Sequence, residues 1–398
     1  MRKEKDGLGE RLLPDEAYYG IQTLRAMENF AISDNTFAHY PNIVRAMAEI
    51  KKACALTNKE IGALPADIAD AIATACDEML AGRYPDQFPV NVFRGCGTSI
   101  NMNVNEVLGN RANELLTGHK GADRVHPNTH VNMCQSSNDV FPTAASLVLY
   151  RETGGLLDAL ATLEAAVRER MEALGPVVRI GRTCLQDAVP LTFGQSLSGY
   201  ASLLERTRGQ IAAFRKRSAT GILGATAVGT GIGVQPGFMK RIYRNLSSIT
   251  GFPVRRNPNP FDGMQNSDGA MTLSALVRNA AAACGKIARE ESVKLIVGEI
   301  QRIAGPKGTA VLGGDFNTPV DSPIFRPLAK YMKSVRDKAP KTDSKGTFNG
   351  FGSAPDTIVI DHLYWRGKLR CLSFTTLDGN YGAPFISDHY PIAMTFTL

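Results

Sequence analysis

Gln135-Ser136-Ser137-Asn138-Asp139, followed by Val140-Phe141-Pro142 and a helical stretch over 143–174, is the run from which the architecture is read. Hydroxyl, amide and carboxylate side chains suit a helix start, because the first backbone N–H groups of a helix have no partner within it. Outward from this run, residues 42–60 and 65–80 carry helical periodicity. Pro65 suits a first turn, and Ile68, Ile72, Cys76 and Met79 share one face. A further helix is expected over 194–218, and the proline-free span Ser267–Ile303 could form another. Strand-like runs are scarce before residue 290, so this part reads as mainly α.

The character changes after residue 305. Ala310–Asp315, Thr357–Tyr364, Leu369–Thr376 and Ile392–Leu398 are rich in β-branched and aromatic residues and are separated by Gly, Pro, Asp and Asn. The junction falls inside Ser267–Ile303. An apolar stripe runs Leu273, Val277, Ala280, Cys284, Ile287, but the positions that would extend it are Glu291, Lys294 and Gly298. Apolar residues resume at Val293, Ile296, Ile300 and Ile303. Two helices with different packing partners would give this step, as would one helix that changes neighbours along its length.

Three segments of the larger part concentrate neutral hydrogen-bond donors. They are Gly95–Glu106 (with Thr98, Ser99 and Asn101), Gln135–Asp139 (with Ser136, Ser137 and Asn138) and Gly181–Pro190 (with Thr183, Cys184 and Gln186). Each alone is explained as a helix cap. Together they suit a carboxylate or phosphate cradle, since a helix N-terminus adds unpaired N–H groups and partial positive charge. Neutral donors hold an anion without protonating it, and they stabilise charge that develops during reaction.

These segments, with Tyr18-Tyr19-Gly20-Ile21-Gln22-Thr23-Leu24-Arg25-Ala26, Glu28-Asn29-Phe30 and Gly224-Ala225-Thr226-Ala227-Val228-Gly229-Thr230-Gly231, resemble aspartate ammonia-lyases of the aspartase/fumarase superfamily over residues 7–289. The resemblance implies a lyase N-terminal domain (1–140) and a truncated central helical bundle (141–290). It implies conversion of L-aspartate to fumarate and ammonia without a cofactor, in a homotetramer. Thr98, Ser137, Asn138 and Thr183 would contact the small dicarboxylate, with Ser99, Asn101, Ser136 and Gln186 close by. Cys184 stands where the family often has His or Gln. The family's catalytic serine loop, Gly-Ser-Ser-x-x-Pro-x-Lys-x-Asn, occurs nowhere in the chain, which implies impaired elimination.

Residues 291–398 hold a second chemistry. Gly313-Gly314-Asp315-Phe316-Asn317, Ile360-Asp361-His362 and Ser387-Asp388-His389 put carboxylates at strand ends, which suits a hard divalent cation. With Thr347-Phe348 and Trp365 between them, they resemble the back half of an endonuclease/exonuclease/phosphatase domain. That resemblance implies an α+β half of a two-sheet sandwich acting as a Mg²⁺-dependent phosphodiesterase. Asp315 and Asn317 would face the attacking water and phosphate. Asp388 would bind Mg²⁺, His389 would contact phosphate, and Asp361 would orient His389. A catalytically inactive fusion is the third reading, because the other half of that site is not supplied.

Composition limits the alternatives. The chain has 398 residues and net charge +7. There are 32 Lys+Arg against 28 Asp+Glu up to Glu290 and 13 against 10 beyond it, so no basic tract invites nucleic acid. Seven cysteines without a CxxC pair fit a reduced cytoplasmic protein. No run is apolar and long enough to span a membrane, and residues 1–20 lack the apolar core of a signal peptide.

Overall fold

The computed structural model describes the chain except for residues 94–95, 184–185, 306–307, 320, 351–354, 356, 379–388 and 398, and except for the side chains of 96, 182–183, 186–187, 289–295, 298–299 and 303. Two compact units are present: residues 1–165 with 205–277, and 166–204 with 278–398.

The first unit opens with a hairpin, β1 (Arg2–Asp6) and β2 (Gly9–Leu13). Helices α1 (Ile21–Asn29), α2 (Pro41–Glu60), α3 (Ala66–Leu80) and α4 (Cys96–Thr117) follow. Pro41 occupies the first turn of α2 and Pro65 caps α3, where a missing N–H costs nothing. Met47, Ile50 and Cys54 of α2 interlock with Ile68, Ile72 and Cys76 of α3 in one core, which also takes Val104 and Leu108 of α4. Helix α5 runs Ser137–Ala173 and α6 runs Phe193–Ser218. Between them lies a second hairpin, β3 (Val178–Thr183) and β4 (Gln186–Thr192). This part is mainly α as expected, but neither hairpin was singled out from the sequence. Strand β1 consists of charged residues alone, and β4 is interrupted by Pro190, so each hairpin contains a strand without the usual apolar alternation.

Strand β5 (Thr220–Gly221) pairs with β6 (Arg255–Arg256), which follows α7 (Ile242–Thr250). Then come α8 (Pro260–Gln265) and α9 (Asp268–Ala304). Helix α9 is unbroken through Glu290. Ile296, Val297 and Ile300 on its far end pack against Phe325, Leu328, Met332 and Tyr364. The step in the apolar stripe is therefore a change of packing partner along one helix, not a break between two. The early stripe also differs from expectation: Ala280 and Ala283 are buried, while Val277 is exposed.

The rest of the second unit contains β7 (Ala310–Asp315), α10 (Arg326–Ala329), β8 (Lys333–Ser334), α11 (Val335–Lys338), β9 (Asp361–Arg366), β10 (Arg370–Thr376) and β11 (Ile392–Thr397). Strands β7, β9 and β8 make one antiparallel sheet, with β9 in the middle, and β10 with β11 another. Strand β9 starts at Asp361, four residues later than the sequence suggested, because Thr347 Oγ accepts the N–H groups of Ile360 and Asp361 and ties that edge to a loop.

One buried carboxylate fixes the start of the first unit. Glu106 of α4 accepts from the backbone N–H groups of Gly20, Gln22 and Thr23 and from the Thr23 hydroxyl, at 2.7–3.0 Å. Burial pushes its carboxyl above the ordinary range, and the four donors oppose that. A Cβ on Gly20 would lie 2.7 Å from the Glu106 carboxyl carbon, so only glycine permits this approach. Glu106→Ala strands three buried donors and should destabilise the first unit by about 3 kcal/mol. Denaturant titration followed by circular dichroism measures this, and a change below about 1 kcal/mol would contradict the assignment.

Candidate functional sites

The donor segments Gly95–Glu106 and Gln135–Asp139 meet at two helix starts. Thr98 and Ser99 lie in the first turn of α4, and Ser137 begins α5. A Cβ on Gly97 would be 3.6 Å from the Ser137 carbonyl oxygen and 3.5 Å from Phe141 Cβ, so the two first turns are in close approach. The two helix starts therefore lie in the same neighbourhood. A cavity of about 410 Å³ opens there, lined by Gly97, Ser137, Asn138, Phe141, Val228 and Phe261, among others.

The side chains divide into structural and outward-facing groups. The Ser136 hydroxyl accepts from Asn138 N–H at 3.3 Å, and Asp139 accepts from Ser136 N–H at 2.9 Å. This is a capping box, so Ser136 serves the helix rather than a ligand. Asn101 is buried, and its amide nitrogen donates to Asn132 Oδ1 at 3.1 Å and Ser137 Oγ at 3.2 Å. Asn138 is exposed but spends an amide N–H on the Ala227 carbonyl at 2.7 Å. Thr98 is exposed and Ser99 half-buried. Thr183 pairs with Gln186 at the tip of the β3–β4 hairpin, in the second unit. Their side chains, like Cys184, lie outside the described residues.

Sequence reasoning missed the group that holds this site together. Asp139 is fully buried. Its second carboxylate oxygen accepts from Gly224 N–H at 3.0 Å and Thr226 N–H at 2.8 Å, fastening the loop 224–231 to the start of α5. The loop turns sharply. Thr226 has φ 58°, and Gly224 has φ 83° with room for no Cβ, since one would sit 2.2 Å from Met239 Sδ. The signal available in the sequence was the glycine spacing, which marks left-handed backbone but not its partner. Burial pushes the Asp139 carboxyl up to about 6, against the lowering effect of its N–H donors and of Lys51.

The second unit brings together all of its described sequence-chosen residues. The atoms that Asp315, Asp361 and His389 could offer a metal lie within 4.8 Å of one another. His389 Nδ1 is 2.8 Å from Asp361 Oδ2, and His389 Nε2 is 3.8 Å from Asp315 Oδ2. Asn317 donates to Asp315 through its backbone N–H and its amide, each at 2.7 Å, with Asn317 at φ 48°. Asp315 and Asp361 face each other in the β7–β9 register. His389 is held by a bridge to Phe348, and Tyr390 N–H donates to Thr347 O at 2.7 Å. Asp388 lies outside the described residues. His362, beside Asp361, points elsewhere: its Nε2 is 2.7 Å from Thr318 O, and burial lowers its pKa.

A family model described as lyase matches residues 9–301, and the chain belongs to the aspartase/fumarase superfamily. It is 38% identical to an aspartate ammonia-lyase of Bacillus subtilis over 336 residues, covering 82% of this chain and 70% of that protein. It is 40% identical to a class II fumarate hydratase of Thermosynechococcus vestitus over 326 residues, covering 79% and 69%. Among solved structures, a cobalt-bound fumarate lyase:delta crystallin of Brucella melitensis superposes with a TM-score of 0.70 at 37% identity, covering 81% of this chain and 71% of that one. A class II fumarase of Schistosoma mansoni gives 0.69 at 33% identity, covering 81% and 69%. Among the described residues no helix is long and apolar enough to cross a membrane.

The Asp139 carboxyl sets a pH dependence. Its folded pKa is raised from 3.8, so the stability it contributes is full below 3.8 and is lost as pH rises through about 6. That difference is worth ~3 kcal/mol. Asp139→Asn mimics the protonated form. Its stability relative to the natural protein should rise by up to about 3 kcal/mol between acid and neutral pH, as read by denaturant titration. A gap that does not move with pH would contradict the burial assigned to Asp139.

Proposed function

We propose that the larger part of the chain binds a small dicarboxylate of the aspartate/fumarate type, and that its chemistry is the addition or loss of ammonia across the fumarate double bond. The carrying observation is the meeting of the α4 and α5 first turns at a cavity where Ser137 is held by Asn101. Two helix ends and neutral donors suit a dicarboxylate and its more highly charged enediolate. The relatives named for aspartate ammonia-lyase and fumarate hydratase support this substrate class. The choice of ammonia over water rests on the Tyr19–Gln22 and Leu185–Pro190 runs, which resemble aspartases more than fumarases. Elimination also needs a base over the reacting carbon. The 398 residues hold no Gly-Ser-Ser-x-x-Pro-x-Lys-x-Asn loop, so turnover is strongly impaired while binding persists. Calorimetric titration should show fumarate binding, weakened roughly tenfold in Ser137→Ala by loss of one charge-assisted hydrogen bond. Fumarate release from L-aspartate should be far below that of an intact family member. Absence of binding would overturn the site, and rapid release would overturn the impairment.

A second reading has its own observation, the Asp315–Asp361–His389 cluster. Two carboxylates suit Mg²⁺, and Asn317 orients the Asp315 carboxylate by donating to each of its two oxygens. Asp315 and Asp361 would hold the ion, with Asp388 by resemblance. The ion would supply charge stabilisation at a phosphate. Asp361 orients the ring of His389 through Nδ1, and by resemblance His389 would contact a phosphate oxygen. Mg²⁺-dependent cleavage of a chromogenic phosphodiester, lost in Asp315→Ala and Asp361→Ala alike, is the expected result. Cleavage that survives either change, or none in the natural chain, would leave this part without that activity.

A further inference from the structure

Near the donor cradle lies a charge whose chemistry sets the direction of the hydrogen bonds that run through Asn132 and Asn101 to Ser137. Lys51 of α2 is wholly buried. Its ammonium donates to Asn132 Oδ1 and to Gln135 Oε1, each at 2.9 Å. An ammonium only donates, so both amides must turn their oxygens toward it. The same Asn132 oxygen then receives the Asn101 amide nitrogen at 3.1 Å. That nitrogen also reaches Ser137 Oγ at 3.2 Å, so the serine oxygen accepts and its own proton is left to point away. Asn101 Oδ1, on the other side of the amide, is buried without a hydrogen-bond partner. Reversing the amide would satisfy that oxygen at Ser137 but would set two oxygens against each other at Asn132. The unsatisfied atom is thus a cost of holding the chain in one direction.

We propose that Lys51 is the positioning residue of the dicarboxylate site: through Asn132 and Asn101 it commits the Ser137 hydroxyl to donating its proton to a bound carboxylate, and it places a unit of positive charge beneath that anion. The inference rests on the dicarboxylate reading of the same cavity.

The charge around Lys51 is accounted for by few groups. Cys54 on its own helix, Cys76 on α3 and Asp139 on α5 face it. Around Asp139 stand Cys134 and, on α7, Tyr243. Burial raises the pKa of Cys54, Cys76, Cys134 and Tyr243, keeping them uncharged at neutral pH. Asp139 and Lys51 remain, and burial moves them to about 6 and about 8. The charge under the cavity therefore falls in two steps as pH rises: first when Asp139 ionises, then when Lys51 loses its proton.

The test is calorimetric titration of the full chain with fumarate across the neutral range, for the natural protein and for Lys51→Gln. Gln can still donate to one amide but carries no charge. The natural protein should lose affinity as pH rises through about 8, and Lys51→Gln should bind roughly tenfold more weakly at neutral pH, the scale of one partly screened charge. The variant should show no step near pH 8, while the Asp139 step near 6 persists in both. A purely structural lysine would lower melting temperature without removing one step of the profile. Equal affinity and an equal step near 8 in the variant overturns the proposal. Should Lys51→Gln not fold, a natural-protein profile that is flat through that range overturns it just as well. Fumarate failing to bind the natural protein at any pH removes the dicarboxylate reading and this inference together. Binding without the step near 8 removes only this inference.

Discussion

A carboxylate with no access to water, Asp139, is the constraint on which the larger site depends. It accepts three backbone N–H groups, from Ser136, Gly224 and Thr226, which closes the first turn of α5 and pins a glycine-rich loop against it. Burying a carboxylate is costly unless donors surround it, and removing one partner leaves the others stranded. Thr226 is held in left-handed backbone by this arrangement, and Asn138 is drawn to the Ala227 carbonyl of the same loop. The side chains that face the cavity are those left over after this network is satisfied. Ser137 and the first turn of α4 remain for a ligand, while Ser136 and one amide hydrogen of Asn138 are already engaged.

The same logic, a buried acid organising backbone donors, recurs at Glu106, which gathers the N–H groups of Gly20, Gln22 and Thr23. It recurs in weaker form at Asp315, which takes two donors from Asn317. The first two carboxylates are deep in the first unit and serve architecture. Asp315 is exposed and lies beside Asp361 and His389, so its remaining capacity is open to a cation or to solvent. Burial thus separates acids that hold the fold from acids that could do chemistry, although all three stand in runs rich in polar residues.

Much of this was legible from residue order alone. Helices α2, α3, α5 and α6 follow from apolar periodicity and proline placement, and β7 was delimited by its glycines and its terminal Asp315. The Asp361–His389 pairing, which spans 28 residues, was legible only through the family resemblance, since nothing in residue order links the two. What escaped was carried by charge. The β1–β2 hairpin has almost no apolar alternation and is tied down by Arg25, which grips Asp6 with two bonds of 2.7 Å. Lys51 lies in a helix that apolar periodicity delimits without reference to it, yet it is buried against two amide oxygens. Apolar periodicity is blind to a buried ion, since its partners come from elements remote in sequence. The step at Glu290 suggested two helices joined end to end, whereas the structure has one helix that changes neighbours, because periodicity does not say whether a helix breaks there. A continuous backbone costs less than two extra helix ends, each with unpaired N–H or C=O groups.

The central claim is that the meeting of the α4 and α5 first turns, held by Asp139, forms a cradle for a dicarboxylate. The most direct measurement is a crystal structure of the chain grown with fumarate. The account predicts a carboxylate within hydrogen-bond distance of Ser137 Oγ and the first-turn N–H groups of α4 or α5. A fumarate bound elsewhere, or a cavity holding only water at saturating ligand, would contradict it.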